Sequence, residues 1–191
     1  MKSTSSRPPS PPHKEPGGVV DAQDRLTMIQ LCVSENPKFS ISEVELNRTG
    51  PSYTIDTVKY FKSILPNRTT PHLIMGLDAF LEIDTWKSYR DLFLLIPFIV
   101  MTRPGLGLDT QTNKRRAIEE YLKSEISGDY RFSMSTACCI HPVKQPIFLI
   151  DIKPIDISST TVRECVKQGL SIDSLVPKAV ADFIKIKGLY L

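Results

Sequence analysis

Three short apolar runs constrain this chain more than any other feature: HLIMGL at residues 72–77, FIVM at 98–101 and IFLIDI at 147–152. Each reads as a short strand covered on both faces. Amphipathic segments lie between and after them. Residues 53–65 put Ile55, Val58, Phe61 and Leu65 on one side of a helix, and residues 85–95 form a second amphipathic helix that stops before Pro97. Residues 113–126 read as a charged surface helix, and 158–168 and 178–186 supply the last two. Short buried strands alternating with such helices predict an α/β fold, with a mainly parallel sheet flanked by helices. Ligands of such sheets bind beyond the carboxyl ends of the strands. That rule selects Gly76 and Asp78 after the first run, Thr102 and Arg103 after the second, and residues 154–159 after the third. All three groups are expected on one rim.

The N-terminal part reads differently. Residues 1–18, MKSTSSRPPSPPHKEPGG, are rich in Pro, Ser and Gly and read as a flexible arm, with no apolar stretch behind Lys2 that would make a signal peptide. From Asp21 onward, Leu26, Ile29 and Val33 recur at helical spacing, with Asp21 or Asp24 as cap. FSISEVEL at 39–46 alternates like a strand with one wet face, and NRTGP at 47–51 is turn chemistry. Residues 19–191 are expected to form a single domain, without internal repeats. A net charge of +3 argues against a protein that coats nucleic acid, while leaving room for a small basic patch for phosphates. The longest apolar run, 92–101, is broken by Pro97 and falls short of the roughly 20 residues a membrane-spanning helix needs. Cys32, Cys138, Cys139 and Cys165 form no CxxC pair and no His stands at zinc-ligand spacing, so they read as reduced thiols of a cytoplasmic protein.

Several segments carry candidate chemistry, each with a plainer alternative. In ISSTTVR at 157–163, Ser158 is a good N-cap, and the first amides of the helix lack intrahelical partners. Arg163 lies just over one turn in and leans toward the N-terminus, so amides, hydroxyls and a guanidinium converge on a spot suited to a phosphate chain. The alternative is an ordinary capped helix. Gly76 permits close backbone approach and Asp78 can accept two ribose hydroxyls, or simply cap a helix. Trp86, the one tryptophan, offers a flat face to an electron-poor ring, or packs in the core. Ser52, Tyr53 and Thr54 precede a helix and can hold a carboxylate, or cap it. His13 and Lys14 sit on a Pro-stiffened segment as cationic groups, or as solvated residues of the arm.

Taken in order, PPHK, GPSYTIDT, MGLDAFLEIDTW, RPG, DISSTTVR and LVPKAVADFI resemble the bacterial nicotinate-nucleotide adenylyltransferases, from about residue 11 to residue 191. The MGxDxFLExxTW and ISSTxxR segments are specific in combination. The resemblance implies the Rossmann-like fold of the nucleotidyltransferase α/β-phosphodiesterase superfamily. It implies a reaction of NAD biosynthesis: nicotinate mononucleotide joins ATP, giving deamido-NAD and pyrophosphate, with Mg2+ bound through the ATP phosphates. By the same resemblance, Thr54 and the backbone around Trp86 and Lys87 would hold the nicotinate carboxylate, and Trp86 would stack on the pyridine. Gly76 and Asp78 would contact the adenosine side, and Arg103 would sit near the shared cleft. Ser158, Ser159 and Arg163 would bind ATP phosphates, and His13 and Lys14 would close over them.

The family also opens with a strand, a Gly-rich turn and a helix carrying GGxFDPxHxGH, whose paired histidines bind ATP phosphates. Here the only histidines are His13, His72 and His141, and no two form HxGH. The first strand–helix unit is therefore expected to be missing from these residues and adenylyl transfer to be impaired, with a start further upstream as the favoured explanation. Two other readings stay open: a catalytically silent nucleotide-binding or interaction module, and a related enzyme for a phosphopantetheine-like acceptor. Tyr53, Thr54 and Trp86 speak against the last, because that acceptor has no aromatic ring to stack. ATP and nicotinate mononucleotide are the expected partners, with no nucleic acid and no membrane; self-association is left open.

Overall fold

The computed structural model describes residues 20–102, 110–153, 155 and 157–191. The chain divides into two compact units. One spans Ser52–Pro154; the other comprises Ile155–Leu191 with the described part of Met1–Pro51.

The first unit is built on a five-stranded sheet. Its strands are β1 (Leu73–Gly76), β2 (Phe98–Thr102), β3 (Arg131–Ser133), β4 (Cys138–Ile140) and β5 (Ile147–Asp151). Their order in space is β1-β2-β5-β4-β3. The three expected apolar runs are β1, β2 and β5, and they pair in parallel, with Leu73 opposite Phe98 and Phe98 opposite Ile147. Helices α2 (Thr54–Ile64), α3 (Leu77–Phe80), α4 (Tyr89–Leu95) and α5 (Gln111–Tyr121) connect and cover them. Ile55, Val58, Phe80, Phe93, Phe98, Val100, Ile118 and Ile147 join one buried cluster. Phe93 lies 4.7 Å from Phe98, and Phe80 meets Phe98 edge-on at 5.9 Å, so aromatic packing seals the sheet against α3 and α4.

Three features here depart from the sequence pattern. Residues 131–140 form an antiparallel hairpin, β3–β4, which joins the edge of β5 and makes the sheet mixed. Its strands are three residues each, too short for a period of two to register, and Cys138 and Cys139 supply the buried apolar positions. The segment expected as one helix over 85–95 is instead a 3₁₀ turn at Ile83–Thr85, an extended Trp86, and α4 from Tyr89. Ser88 between them has φ 52°, a left-handed conformation that ends one helical direction and starts another. The charged helix continues from α5 into a π turn over Leu122–Ile126, but Ile118 and Leu122 are fully buried, so only one of its faces is a surface.

The second unit is helical: α1 (Ala22–Val33), α6 (Ser159–Lys167) and α7 (Lys178–Lys187). Asp21 caps α1 by accepting the Gln23 N–H at 2.8 Å. Leu26 is buried, whereas Ile29 is 52% exposed and does not extend that stripe. Val162, Ile172, Val180, Ala181 and Ile184 form the core, with Met28 and Leu31 against it. Residues 39–46 are not a strand. The Ser42 hydroxyl accepts from the Val44 N–H (3.4 Å), the Asn47 N–H turns back to the Glu43 carbonyl (3.0 Å), and Phe39 is 60% exposed. Alternation gave this segment a face, but local side-chain and backbone bonds took its hydrogen-bonding groups. The 47–51 turn is present, with Gly50 at φ +85°. Cys32, Cys138, Cys139 and Cys165 are all free thiols, as expected. Burial pushes the Cys139 thiol up to about 12, which keeps it unreactive. Among the described residues, no helix is long and apolar enough to cross a membrane.

Candidate functional site

In the first unit, β1 ends on Gly76 and α3 begins at the next residue. Gly76 is extended (φ −74°, ψ 158°), so its left-handed freedom is not what the site needs. What matters is space: a Cβ there would run into Asp78 Oδ1. The missing side chain lets the Asp78 carboxylate fold back over the end of the strand, and Asp78 lies inside α3, whose N-cap is Gly76.

Thr54 opens α2. Extended Tyr53 precedes it, and the Tyr53 carbonyl accepts from the Asp56 (3.0 Å) and Thr57 (3.3 Å) amides. The Thr54 and Ile55 amides come before the first intrahelical bond and are the donors such a helix start leaves over. The Lys87 ammonium lies 4.1 Å from the centre of the Tyr53 ring and 3.7 Å from Asp56 Oδ2. The start of α2 and the Trp86–Lys87 segment therefore stand side by side. Trp86 is half-buried, with part of its ring against the main core. Its own N–H is committed to the Ile83 carbonyl at 2.9 Å, which leaves the Lys87 amide as the donor of that pair without an acceptor among the described residues.

At the carboxyl ends of β2 and β5, the Thr102 hydroxyl donates to Asp151 Oδ1, and Lys114 Nζ reaches the same oxygen at 3.1 Å. Thr102 and Lys114 are both buried. Together with Phe132 and Leu149 they line a cavity of about 330 Å³.

In the second unit, Ser158 caps α6 as expected, accepting from the Thr161 N–H at 3.0 Å. Arg163 folds back over the first turn, donating from Nη2 to Thr160 Oγ1 at 3.1 Å, beside exposed Ser159. His13, Lys14 and Arg103 lie outside the described residues.

Residue patterns missed one contact close to Trp86: the Tyr121 hydroxyl on Asp84, from 37 positions away. Nothing in local spacing could point to it, because the two residues share no element.

The chain matches the cytidylyltransferase-like family over residues 7–165. It is 37% identical to a protein of Desulfatibacillum aliphaticivorans, "Probable nicotinate-nucleotide adenylyltransferase", over 95% of this chain and 82% of that protein. A protein of the same name from Geotalea uraniireducens is 34% identical over 95% of this chain and 80% of its own length. Among solved structures, nicotinic acid mononucleotide adenylyltransferase of Plasmodium falciparum, complexed with NaAD, shares the fold at 20% identity with a TM-score of 0.59, covering 93% of this chain and 78% of that one. Its complex with APC gives a TM-score of 0.58.

Proposed function

We propose that this chain, which belongs to the nicotinate-nucleotide adenylyltransferase family, binds nicotinate mononucleotide at the junction of α2 with the Trp86–Lys87 segment and takes part in adenylyl transfer from ATP. The observation that carries this reading is the placement of Lys87 over Tyr53 and against Asp56, which sets the amide-bearing start of α2 beside the only indole. A pyridine carboxylate needs donors alone. The Thr54 hydroxyl, the first amides of α2 and the Lys87 amide are donors, and the exposed part of Trp86 is a stacking face.

Asp78, folded over Gly76 at the strand end, would accept ribose hydroxyls of the adenosine. Ser158, Ser159 and Arg163 would meet the ATP phosphates through amides, hydroxyls and a guanidinium. His13, Lys14 and Arg103 complete the assignment on resemblance alone. In the reaction, a 5′-phosphate oxygen of the acceptor attacks the α-phosphorus of ATP, the bond to the β-phosphate oxygen breaks, and pyrophosphate leaves. No covalent enzyme intermediate is required, so these residues act by positioning and neutralising. A divalent cation would supply charge neutralisation on the phosphates. Such ions are habitually held by substrate phosphate oxygens with few protein carboxylates, which suits the donor set here.

Without HxGH, residues 1–191 are proposed to turn over slowly. Loss of one such donor typically costs on the order of a hundredfold or more in rate. The test is pyrophosphate release by this chain with ATP and each acceptor. Slow release that needs nicotinate mononucleotide supports the proposal. Release that is fast, or that a phosphopantetheine-like acceptor supports equally well, contradicts it.

A further inference from the structure

Tyr121, the last residue of α5, uses one oxygen twice. Its hydroxyl donates to Asp84 Oδ1 at 2.7 Å and accepts the Asp84 N–H at 3.2 Å. Asp84 lies in the 3₁₀ turn Ile83–Thr85, whose leading amides have no partners within the turn. The phenol oxygen satisfies one of those amides and, through its proton, fixes the side chain of the same residue. Burial, reinforced by the Asp84 carboxylate, holds the phenol proton on well above the usual tyrosine range, so the donor is present at any working pH. The Tyr121 ring is itself seated, edge-on to Phe80 at 6.0 Å.

The turn so held leads straight into Trp86. Ile83 is fully buried, and its carbonyl takes the Trp86 N–H at 2.9 Å. Beyond Trp86 the backbone is irregular, through left-handed Ser88, until the Tyr89 N–H returns to the Trp86 carbonyl at 3.2 Å. The 86–88 segment has no ladder of its own; it is placed by the anchor before it, together with the core packing of Trp86 and the contacts of Lys87 with Tyr53 and Asp56.

We propose that Tyr121 is a positioning residue for the acceptor: through Asp84 it fixes the 3₁₀ turn, so that the Trp86 face and the Lys87 amide stand ready for the acceptor's aromatic ring. This rests on the acceptor reading given above. It assigns α5 a role in acceptor recognition that no nearby sequence motif announces.

Trp86 is the only tryptophan, so intrinsic fluorescence reports on this one segment. Tyr121→Phe keeps the ring against Phe80 and removes the hydroxyl. The variant is expected to show lower Trp86 anisotropy than the parent before any ligand is added. Its affinity for nicotinate mononucleotide, read by Trp86 quenching, should fall about 5- to 30-fold, the effect of losing one or two part-buried hydrogen bonds. ATP affinity should stay within about twofold, because the residues assigned to ATP are untouched. Asp84→Asn, which keeps an acceptor oxygen for the phenol, should behave nearly as the parent. Asp84→Ala, which removes the side-chain bond but keeps the Asp84 N–H on the phenol oxygen, should fall between the parent and Tyr121→Phe, and the double variant should be no worse than Tyr121→Phe. A Tyr121→Phe protein with parental anisotropy and parental acceptor affinity, or one weakened equally toward both substrates, overturns the inference while leaving the acceptor reading in place. A parent whose Trp86 emission ignores nicotinate mononucleotide overturns the acceptor reading itself, and with it the role given to Tyr121.

Discussion

Gly76 and Asp78 show how a single absent atom shapes the proposed nucleotide site. Asp78 Oδ1 occupies the space a Cβ at position 76 would need. In Gly76→Ala the carboxylate must rotate away or leave its preferred rotamer, at a cost of about 0.5–1.5 kcal/mol. If Asp78 holds the ribose, displacing it forfeits a charge-assisted hydrogen bond worth roughly 1.5–3 kcal/mol. Gly76→Ala is therefore expected to weaken ATP about 10- to 150-fold, with the acceptor bound as before, when each is titrated separately. Unchanged ATP affinity would show that Asp78 serves only the start of α3. At this scale the sequence was informative wherever chemistry is local. Ser158 capping α6 and Arg163 leaning over its first turn follow from spacing within one helix. The Tyr121–Asp84 bond, the Lys87–Tyr53 contact and the Lys114–Asp151 pair follow from folding, and no window of neighbouring residues contains them.

At the scale of elements, apolar runs flanked by turns located β1, β2 and β5 almost residue by residue, yet the expected cover on both faces is incomplete, since Ile74 of β1 is 58% exposed and Ile150 of β5 is 44% exposed. The β3–β4 hairpin was invisible for the opposite reason: three-residue strands hold too few positions to show a period. FSISEVEL misled because alternation describes a face and says nothing about a pairing partner. The turn that follows β4 carries a pH dependence of its own. His141 Nδ1 accepts the Val143 and Lys144 amides at 3.0 Å each, while Nε2 lies 3.0 Å from the Ser127 hydroxyl. An Nδ1 that accepts two amides is unprotonated. Burial, with Lys144 nearby, holds the His141 pKa below its ordinary 6.5. The unfolded chain thus takes up this proton at a higher pH than the folded one, so the stability is present above about pH 6.5 and is lost as pH falls below it. Tm of the parent is expected to drop more steeply between about pH 7.5 and 5.5 than that of His141→Gln. Parallel curves would remove His141 from the account.

For the whole molecule, fold and family emerge from different kinds of information. The strand–helix alternation is enough for an α/β sheet, and the likeness at 20% identity to solved adenylyltransferases bears on that fold alone. Family membership comes from the ordered motifs and from relatives at 34–37% identity across 95% of the chain. The proposed choice of acceptor would rest on the start of α2 and on Trp86 with Lys87, and it reduces to one chemical contrast. A nicotinate carboxylate is a pure acceptor and matches a ring of donors, whereas the nicotinamide form presents an NH₂ that would face one of them. An unmade buried hydrogen bond costs about 1–3 kcal/mol, roughly 5- to 150-fold in affinity. Because binding is independent of turnover, calorimetric titration of this chain with the two mononucleotides tests the claim even if transfer is slow. Nicotinate mononucleotide is expected to bind at least about fivefold more tightly than the nicotinamide form, with Thr54→Ala narrowing that gap. Equal binding of the two by the parent, or a gap that Thr54→Ala leaves intact, would contradict the assignment of the carboxylate to the start of α2.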